Sequence, residues 1–499
     1  MREEHLFFNL HGMREPEFCF PNLGLYIELG TAPMEEMIIT PREMTVQLGL
    51  IGKRLVLTAE NRFDEAQTLQ RIQFANQYLR DYNGITGLDL SLIPDPLFVY
   101  FDMQRGTLNV QKTIKRYAQR NAKEYEYDPM LLKLATRLNT IDMNQFGTYI
   151  AGLFATIKKT FPRIDLDKEA YEKSAAAVGI FFDKVAYVEL VNEFLSTNSS
   201  DEIPIHATTF LVSPNQLSSM NSFQEVQKLF AFMDKEPKQI FVKANIGSGG
   251  DWQMILSEST TWEKFHQFLA SLPKALTLLI QEAVEPTTSK DGKPNRIGVN
   301  LFIDTEGIPY ILGATTQIYK DRERTKYFGS VWNVAMETTI VQSIEQERLL
   351  QLASLFAARG YRGPFNLDFV QDKQGQYVSI YDMNPRVTGA LPIYTGRLFL
   401  ERAGLSVKSL INFSSGGKVS FPDYRQTLQK LNEVDILCTA SRQNGAVIIP
   451  NVYQPDQSAK QLNCDVLVAN ITDPYEIQRI LEIIRSISES NTLPETIYW

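Results

Sequence analysis

The spacing of apolar positions changes along the chain, and each change predicts a different kind of element. Over residues 1–127, short apolar runs (LGLYIEL, RLVLTAE, LFVYFD) alternate with one stretch of helical spacing, EAQTLQRIQFANQYLRDY. Strands alternating with a helix predict a small α/β unit. Helical spacing then dominates 128–197, clearest in PMLLKLATRL and DKVAYVELVNEFL, where apolar residues recur along one face. Strand-like runs follow: ATTFLVS, QIFVKANIG, LTLLIQEAV, RIGVNLFID, PYILGAT, FNLDFVQD and QYVSIYDMN, with helical stretches SFQEVQKLFAFM and WEKFHQFLASL among them. The C-terminal segment adds the expected strands DILCTAS, GAVIIPNVY and CDVLVANI and the amphipathic helix PYEIQRILEIIRSI. Polar loops at Ser196–Asp201 and Ser414–Lys418 are the expected boundaries. The chain therefore reads as α/β (α+β), with an N-terminal domain at 1–127, a central domain at 128–415 and a small C-terminal domain at 416–499.

Composition narrows the function classes. The chain has 499 residues, 44% hydrophobic and 22% charged, with a net charge of −8. This is an ordinary globular balance, and its sign gives no support to nucleic acid or an anionic membrane surface as a partner. Cys19, Cys438 and Cys464 are widely separated and odd in number, so a disulfide framework is not expected and a reducing cytoplasm is. The N-terminal run MREEHLFFNLHG carries acids where a secretion signal needs bases. No run approaches the ~20 apolar residues of a membrane span. His5, His11, His206 and His266 show no paired spacing, so a histidine or cysteine metal centre is not expected.

Candidate chemistry lies in three segments. In QIFVKANIGSGGDW, a β-rich run ends in Lys243 and a glycine-rich loop follows at once, with Gly247, Ser248, Gly249 and Gly250. Such glycines let backbone N–H groups approach phosphate oxygens, and the lysine supplies a compact charge for them. A hairpin turn beside a surface lysine is the plain alternative. In ALTLLIQEAVEP, a buried strand runs into Gln281, Glu282, Ala283, Val284 and Glu285. Backbone groups there can pair with an adenine edge, and Glu285 can accept from ribose hydroxyls; a solvated strand end would look the same. In GPFNLDFVQDKQGQYVSIYDMNPRVTGALP, two strands joined by the turn DKQG form a hairpin. Folding it puts Asp368 opposite or diagonal to Asp382, roughly 5–7 Å apart on one face. Two carboxylates so close repel unless a cation lies between them, and oxygens of Asp368, Asp382 and Asn384 suit Mg²⁺ shared with phosphate. Arg386 places a guanidinium fork beside them. An ordinary acidic surface hairpin is the alternative, against which stands the position of Asp368 inside an apolar strand.

Taken in order, these segments resemble the ATP-grasp superfamily, which includes the D-alanine ligases, biotin carboxylase and glutathione-synthetase-type ligases. The resemblance covers roughly residues 150–415. Lys184, in FFDKVAYVELVNEFL, matches the first phosphate lysine of those enzymes. Lys243 with Gly247–Gly250 matches the second lysine and its mobile loop, Gln281–Glu285 the adenine hinge, and Asp368 with the run Asp382–Arg386 the acidic strand and its Asn-x-Arg ending. Many relatives have glutamate where Asp382 stands, and the insertion TTSKDGKPNR leaves Arg296 without an assigned role. A narrower resemblance, carried by DMNPRVTGALP, GYRGPFNLDFV and the two flanking domains, is to peptide ligases of the pheganomycin type with a pre-ATP-grasp N-terminal domain.

The resemblance implies an ATP-grasp fold with a nucleotide-binding subdomain at about 185–285 and a metal and catalytic subdomain at about 286–415. It implies ATP with one or two Mg²⁺ ions, Mn²⁺ being able to substitute. The reaction implied activates a carboxylate as an acyl phosphate and couples it to an amine, with Arg386 at the acyl phosphate and the oxyanion. Small-molecule carboxylates and amines would be the partners, in a protein that is often a homodimer among relatives. Two other readings stay open: an ATP-grasp phosphotransferase, which needs a phosphocarrier or histidine-bearing segment, and a non-catalytic nucleotide-binding module, which should lack one of Lys243, Asp368, Asp382, Asn384 or Arg386. The run KDRERTK could bring Arg322 or Arg324 over a substrate carboxylate or be a solvated loop. Asp102 and Arg105 could face a cleft or form a surface turn.

Overall fold

The computed structural model describes residues 18–19, 53–59, 65–93, 97–102, 107–108, 183–233, 236–245, 252–272, 276–284, 296–303, 307–319, 327–361, 363–384, 390–413, 418–421, 423–450, 462–488, 490–491, 493 and 497–498. In the N-terminal part, strands β1 (Phe18–Cys19), β2 (Lys53–Ala59) and β3 (Leu97–Asp102) pair in parallel, and β4 (Thr107–Leu108) closes the sheet antiparallel to β3. Helix α1 (Glu65–Thr86) lies between β2 and β3 in the chain, as a parallel pair requires of its connection. Its buried residues Ile72, Ala75, Tyr78, Leu79 and Tyr82 fall on one helical face.

Helix α2 (Lys184–Thr197) leads into a four-stranded antiparallel sheet. Its strands are β5 (Thr209–Val212), β6 (Gln239–Ala244), β7 (Gln253–Ser257) and β8 (Leu278–Glu282), in the order β5-β8-β6-β7. Helices α3 (Pro214–Ser218), α4 (Phe223–Gln227) and α5 (Trp262–Ser271) belong to the same unit. Phe223, Val226, Phe230, Phe265 and Leu269 join Val242, Leu256, Leu278 and Ile280 in its core. The stretch SFQEVQKLFAFM, expected as one helix, is α4 followed by a 3₁₀ segment over Lys228–Met233.

The largest unit is a ten-stranded sheet with antiparallel pairing throughout. It comprises β9 (Arg296–Ile303), β10 (Pro309–Tyr319), β11 (Tyr327–Asn333), β12 (Gly363–Gln371), β13 (Tyr377–Asn384), β14 (Ser409–Asn412), β15 (Lys418–Phe421), β16 (Gly445–Pro450), β17 (Leu462–Ala469) and β18 (Ser490–Asn491). The order runs β13-β12-β9-β10-β11-β14-β17-β15-β18, with β16 on the other edge of β17. Helices α6 (Val334–Ile344), α7 (Gln346–Ala358), α8 (Leu391–Arg402), α9 (Tyr424–Glu433) and α10 (Pro474–Ile487) complete it. Strands of residues 418–469 thus continue the sheet begun at 296, through β14 and β17. The N-terminal helix reaches this end as well: Tyr78 Oη donates to Ile448 O at 3.0 Å and Tyr82 Oη to Ala446 O at 3.3 Å.

Among the described residues one expected strand is absent; the expected elements LGLYIEL and PMLLKLATRL lie outside them. DILCTAS makes only a single bridge, Leu437 to Ala446. Asp435 has φ 60, and the chain turns again where Thr439 Oγ1 accepts from the Arg442 N–H, so no ladder can extend.

The two faces of β9, β12 and β13 set up the site. Ile297, Val299, Leu301, Phe365, Leu367, Phe369, Tyr381 and Met383 pack with Ile340, Leu349, Leu352 and Phe356 of α6 and α7. Burying each such side chain contributes roughly 1.5–3 kcal/mol, which locks the strands face down on those helices. Period-two alternation then sends Gly298, Asn300, Asn366 and Asp368 to the opposite face.

Candidate functional site

Asp368 and Asp382 come together through an irregularity in the β12–β13 hairpin. Near its turn the hairpin is regular, with Gln371 opposite Tyr377, Val370 opposite Val378 and Phe369 opposite Ser379. Beyond Ser379 the register shifts: Leu367 faces Met383 and Asn366 faces Asn384. Ile380, Tyr381 and Asp382 therefore bulge opposite the single residue Asp368. An unbroken ladder would have set Ile380 there. Tyr381 takes φ 50 to make the turn, a conformation that costs a non-glycine residue roughly 1–2 kcal/mol.

The Asp368 carboxyl is poorly compensated. Its Oδ1 is buried with no hydrogen-bond partner among the described residues. Burial first, and then the neighbouring Asp382 charge, push its pKa well above the ordinary carboxylate range, against the opposing pull of Lys243, Arg296 and Lys184. Arg296, which the sequence left without a role, thus lies within electrostatic reach of the acidic pair. Asn366, behind Asp368 on the same face, is buried and donates to Val299 O and Asn300 Oδ1, both at 3.4 Å. Asn300 in turn reaches Thr315 Oγ1 and Tyr394 Oη.

Two lysines approach the pair, one at the start of α2, which packs with the core of the large sheet, and one from the four-stranded sheet. Lys184 opens α2, whose N-terminus is capped by Asp183, the side chain accepting from Val185 N–H. Asn245 pins that helix end to β6: its Nδ2 donates to Asp183 Oδ2 at 2.8 Å, and its carbonyl accepts from Lys184 N–H at 2.9 Å. Lys184 Nζ then lies 3.6 Å from Asp382 Oδ1. Lys243, near the end of β6, is buried and donates to Ile380 O in the bulge. Burial lowers its pKa to about 8; Asp382 and Asp368 oppose that shift and Lys184 adds to it. Among the described residues such an ammonium meets negative charge from the acidic pair, and phosphate oxygens would hold its proton more firmly.

The candidate hinge is engaged by its own sheet. Gln281 is buried and its Nε2 donates to Thr209 Oγ1 at 2.9 Å and Ile380 O at 3.2 Å. The N–H groups of Glu282 and Ala283 donate to Thr208 O and Gln239 O, and Glu282 Oε1 accepts from Thr208 N–H. The expectation that backbone groups across 281–285 meet an adenine edge narrows accordingly: Val284 is the first residue of the run past these pairings.

Gly247, Ser248, Gly249, Gly250, Glu285, Arg105, Arg322, Arg324 and Arg386 lie outside the described residues, and Asp102 is described only as backbone. The glycine loop's two ends are described, and Ala244 N–H donates to Trp252 O at 3.0 Å across its base. Among the described residues no group of three or more His, Cys, Asp or Glu side chains could hold a metal. The oxygen donors here are two carboxylates and amides. A buried carboxylate oxygen with no partner among the described residues, its pKa raised by burial and by a second carboxylate beside it, fits a hard divalent cation with oxygen ligands. No described helix is long and apolar enough to cross a membrane.

Asn245, Asn300, Tyr187 and Ser379 escaped the sequence reading, and Asn366, on the strand face of Asp368, was given no role. The one signal for Asn300 and Asn366 was a polar residue inside an otherwise apolar strand, RIGVNLFI and GPFNLDFVQ.

No protein-family model and no curated protein matches this chain. Among solved structures it is similar to carboxyaminoimidazole ribonucleotide synthase from Aspergillus clavatus complexed with ATP, at 11% identity and TM-score 0.42, covering 92% of this chain and 97% of that one. It is also similar to biotin carboxylase from Campylobacter jejuni in a β-γ-ATP complex, at 11% identity and TM-score 0.42, covering 87% and 92%. A third is N5-carboxyaminoimidazole synthetase from Staphylococcus aureus complexed with ADP, at 9% identity and TM-score 0.42, covering 87% and 97%.

Proposed function

We propose that this chain is an ATP-dependent ligase of the ATP-grasp type, which activates a carboxylate and joins it to an amine. One observation carries the reading. Two lysines, Lys184 at the start of α2 and Lys243 on the four-stranded sheet, converge on an acidic pair from the large sheet, Asp368 and Asp382, with Asn384 on the same strand. Opposed in this way, they suit a polyphosphate that bridges ammonium groups and a carboxylate-held cation.

A carboxylate does not acylate an amine in water, because oxide would have to leave. Transfer of a phosphoryl group to the carboxylate gives an acyl phosphate, from which phosphate can leave as the amine attacks. Bound Mg²⁺ would supply charge neutralisation across the phosphates, and Asp368, Asp382 and Asn384 would hold it. Lys184 and Lys243 would neutralise phosphate oxygens not facing the cation. The 247–250 loop would close over the phosphates and Val284 would offer backbone to the base. Arg386 is proposed at the acyl phosphate and at the oxyanion of the tetrahedral intermediate. The run Asp382–Pro392 supports a peptide-ligase identity within this class, with an amino-acid or peptide amine as acceptor.

His206 gives the phosphotransferase alternative no support. It is packed against Tyr187 and Tyr381, its Nδ1 meets Pro204 O and its Nε2 meets Tyr187 Oη, so neither nitrogen is available to carry phosphate. The test is ADP and phosphate release from Mg-ATP with pools of amino acids and short peptides, followed by mass spectrometry. A product lighter by one water than the sum of carboxylate and amine, formed only when both are present, is the expected result. A phosphorylated acceptor formed without an amine would overturn the reading.

A further inference from the structure

Tyr187 lies one helical turn after Lys184 on α2 and is fully buried. Its hydroxyl has two partners, His206 Nε2 and Ser379 Oγ, each at 3.0 Å. The proton positions follow from the chemistry of the partners. His206 Nδ1 lies 2.6 Å from Pro204 O, a carbonyl that can only accept, so Nδ1 carries the hydrogen. Burial lowers the His206 pKa to about 4, so the ring is neutral and Nε2 accepts from Tyr187. The tyrosine oxygen is then left to accept from Ser379 Oγ. All three side chains are satisfied in one arrangement only, which fixes the geometry of each.

Ser379 is the last regular residue of β13 before the bulge. Its backbone is held on the side away from β12: its N–H donates to Ile205 O at 2.7 Å and its carbonyl accepts from Ala207 N–H at 2.9 Å. The same short segment reaches β8 through Thr208, whose carbonyl accepts from Glu282 N–H at 3.0 Å. Tyr381, the residue with positive φ, has its ring against Tyr187 at 5.1 Å and His206 at 4.8 Å between centroids. The bulge is thus gripped from below by its side chain, at its start by Ser379, and from the other unit by Lys243 and Gln281 on Ile380 O.

We propose that Tyr187, His206 and Ser379 are positioning residues that fix the Ile380–Asp382 bulge, and through it the placement of Asp382 opposite Asp368 and beside Lys184. This rests on the nucleotide and cation reading above. An apolar cluster of the same size would fill this space without three buried polar groups to satisfy. What the polar cluster adds is a unique register at a strained turn. None of the three side chains is required to touch nucleotide or cation. Their loss acts on cation binding by letting the bulge relax toward the regular ladder, in which Ile380 faces Asp368.

The test separates cation coupling from nucleotide binding and from folding. Affinity for a non-hydrolysable ATP analogue is measured calorimetrically on the full chain, in EDTA and with saturating Mg²⁺, for wild type, Tyr187→Phe and Ser379→Ala. Wild type is expected to bind more tightly with Mg²⁺. Tyr187→Phe is expected to keep its EDTA affinity within about 2-fold and to lose about 10-fold of the Mg²⁺ enhancement, the scale of one hydrogen bond. Ser379→Ala removes one arm of the cluster with a smaller change in volume and carries the test if Tyr187→Phe does not fold. An undiminished Mg²⁺ enhancement in the folded variants would overturn the positioning role, as would equal losses in EDTA and Mg²⁺. No enhancement in wild type itself would instead refute the cation reading of the site.

Discussion

Lys184 Nζ lies 3.6 Å from Asp382 Oδ1, joining the first residue of α2 to the bulged strand of the large sheet. The lysine side chain is 11% exposed and the aspartate 34%, so the carboxylate is the more open of the two. A phosphate entering there meets the ammonium, and a cation meets the carboxylate. Asp382→Asn keeps the shape and removes the charge. It is expected to lower Mg-dependent turnover by ~10²–10³-fold, the usual scale for one charge-stabilising group, with little change in melting temperature. Near-normal turnover in the steady-state assay would remove Asp382 from the site.

Asp368 makes a pH prediction for stability without metal. Its folded-state pKa is raised by burial and by Asp382, so between the ordinary carboxylate value and the raised one the folded state binds a proton that the unfolded chain has lost. Stability in EDTA is therefore highest at low pH on this group's account and falls as pH rises through the elevated pKa. Asp368→Asn, which needs no proton to be neutral, is expected to melt higher than wild type near neutral pH in EDTA and to lose the Mg²⁺-induced rise in melting temperature. Thermal denaturation across pH, with and without Mg²⁺, checks both; a variant less stable than wild type in EDTA would contradict the account.

Lys243 makes a second one, for binding. Burial holds its pKa at about 8 in the free protein, and a bound polyphosphate would raise it. Binding then takes up a proton above pH ~8. Nucleotide affinity without metal is expected to be flat below that point and to weaken as pH rises above it. Lys243→Met should bind more weakly and lose this bend. Calorimetric titration in EDTA from near neutrality to about pH 10 tests it, and a bend surviving in the variant would assign the titration elsewhere.

Gly298 bears on Asp368 and on Asn366 beside it. A Cβ there would lie 2.4 Å from Asn366 Nδ2 and 3.4 Å from Asp368 Oδ1. The amide could retreat only by giving up its bonds to Val299 and Asn300. Gly298→Ala is expected to cost ~1–3 kcal/mol, as overpacking does, and to weaken Mg²⁺ coupling. Urea denaturation measures the first, and a stability within about 0.5 kcal/mol of wild type would show that Asn366 moves freely.

Much of the candidate site was legible in one dimension because its signals are local. The turn DKQG between two apolar runs predicts the β12–β13 hairpin, and period-two alternation puts Asp368 on the face away from α6 and α7. The amphipathic helix PYEIQRILEIIRSI, the Lys184 helix and the Lys243 strand follow from spacing alone. The continuation of the large sheet through 418–469 and the packing of α1 against Ala446 and Ile448 were not legible, since each depends on partners far along the chain. The strand expected at DILCTAS failed for a related reason: β propensity was present, but turns at Asp435 and Thr439 left one bridge.

By itself the sequence determined which side chains could do chemistry: two lysines, two aspartates and an asparagine, on strands and a helix whose periods show their faces. The sequence left Asp382 opposite or diagonal to Asp368, and only the tertiary structure decided that a bulge of Ile380, Tyr381 and Asp382 stands opposite Asp368. A two-residue shift of register inside a hairpin leaves no mark on composition or alternation. It exists because Ser379 is tied to Ile205 and Ala207, Tyr381 to Tyr187 and His206, and Ile380 to Lys243 and Gln281, contacts that no local propensity encodes.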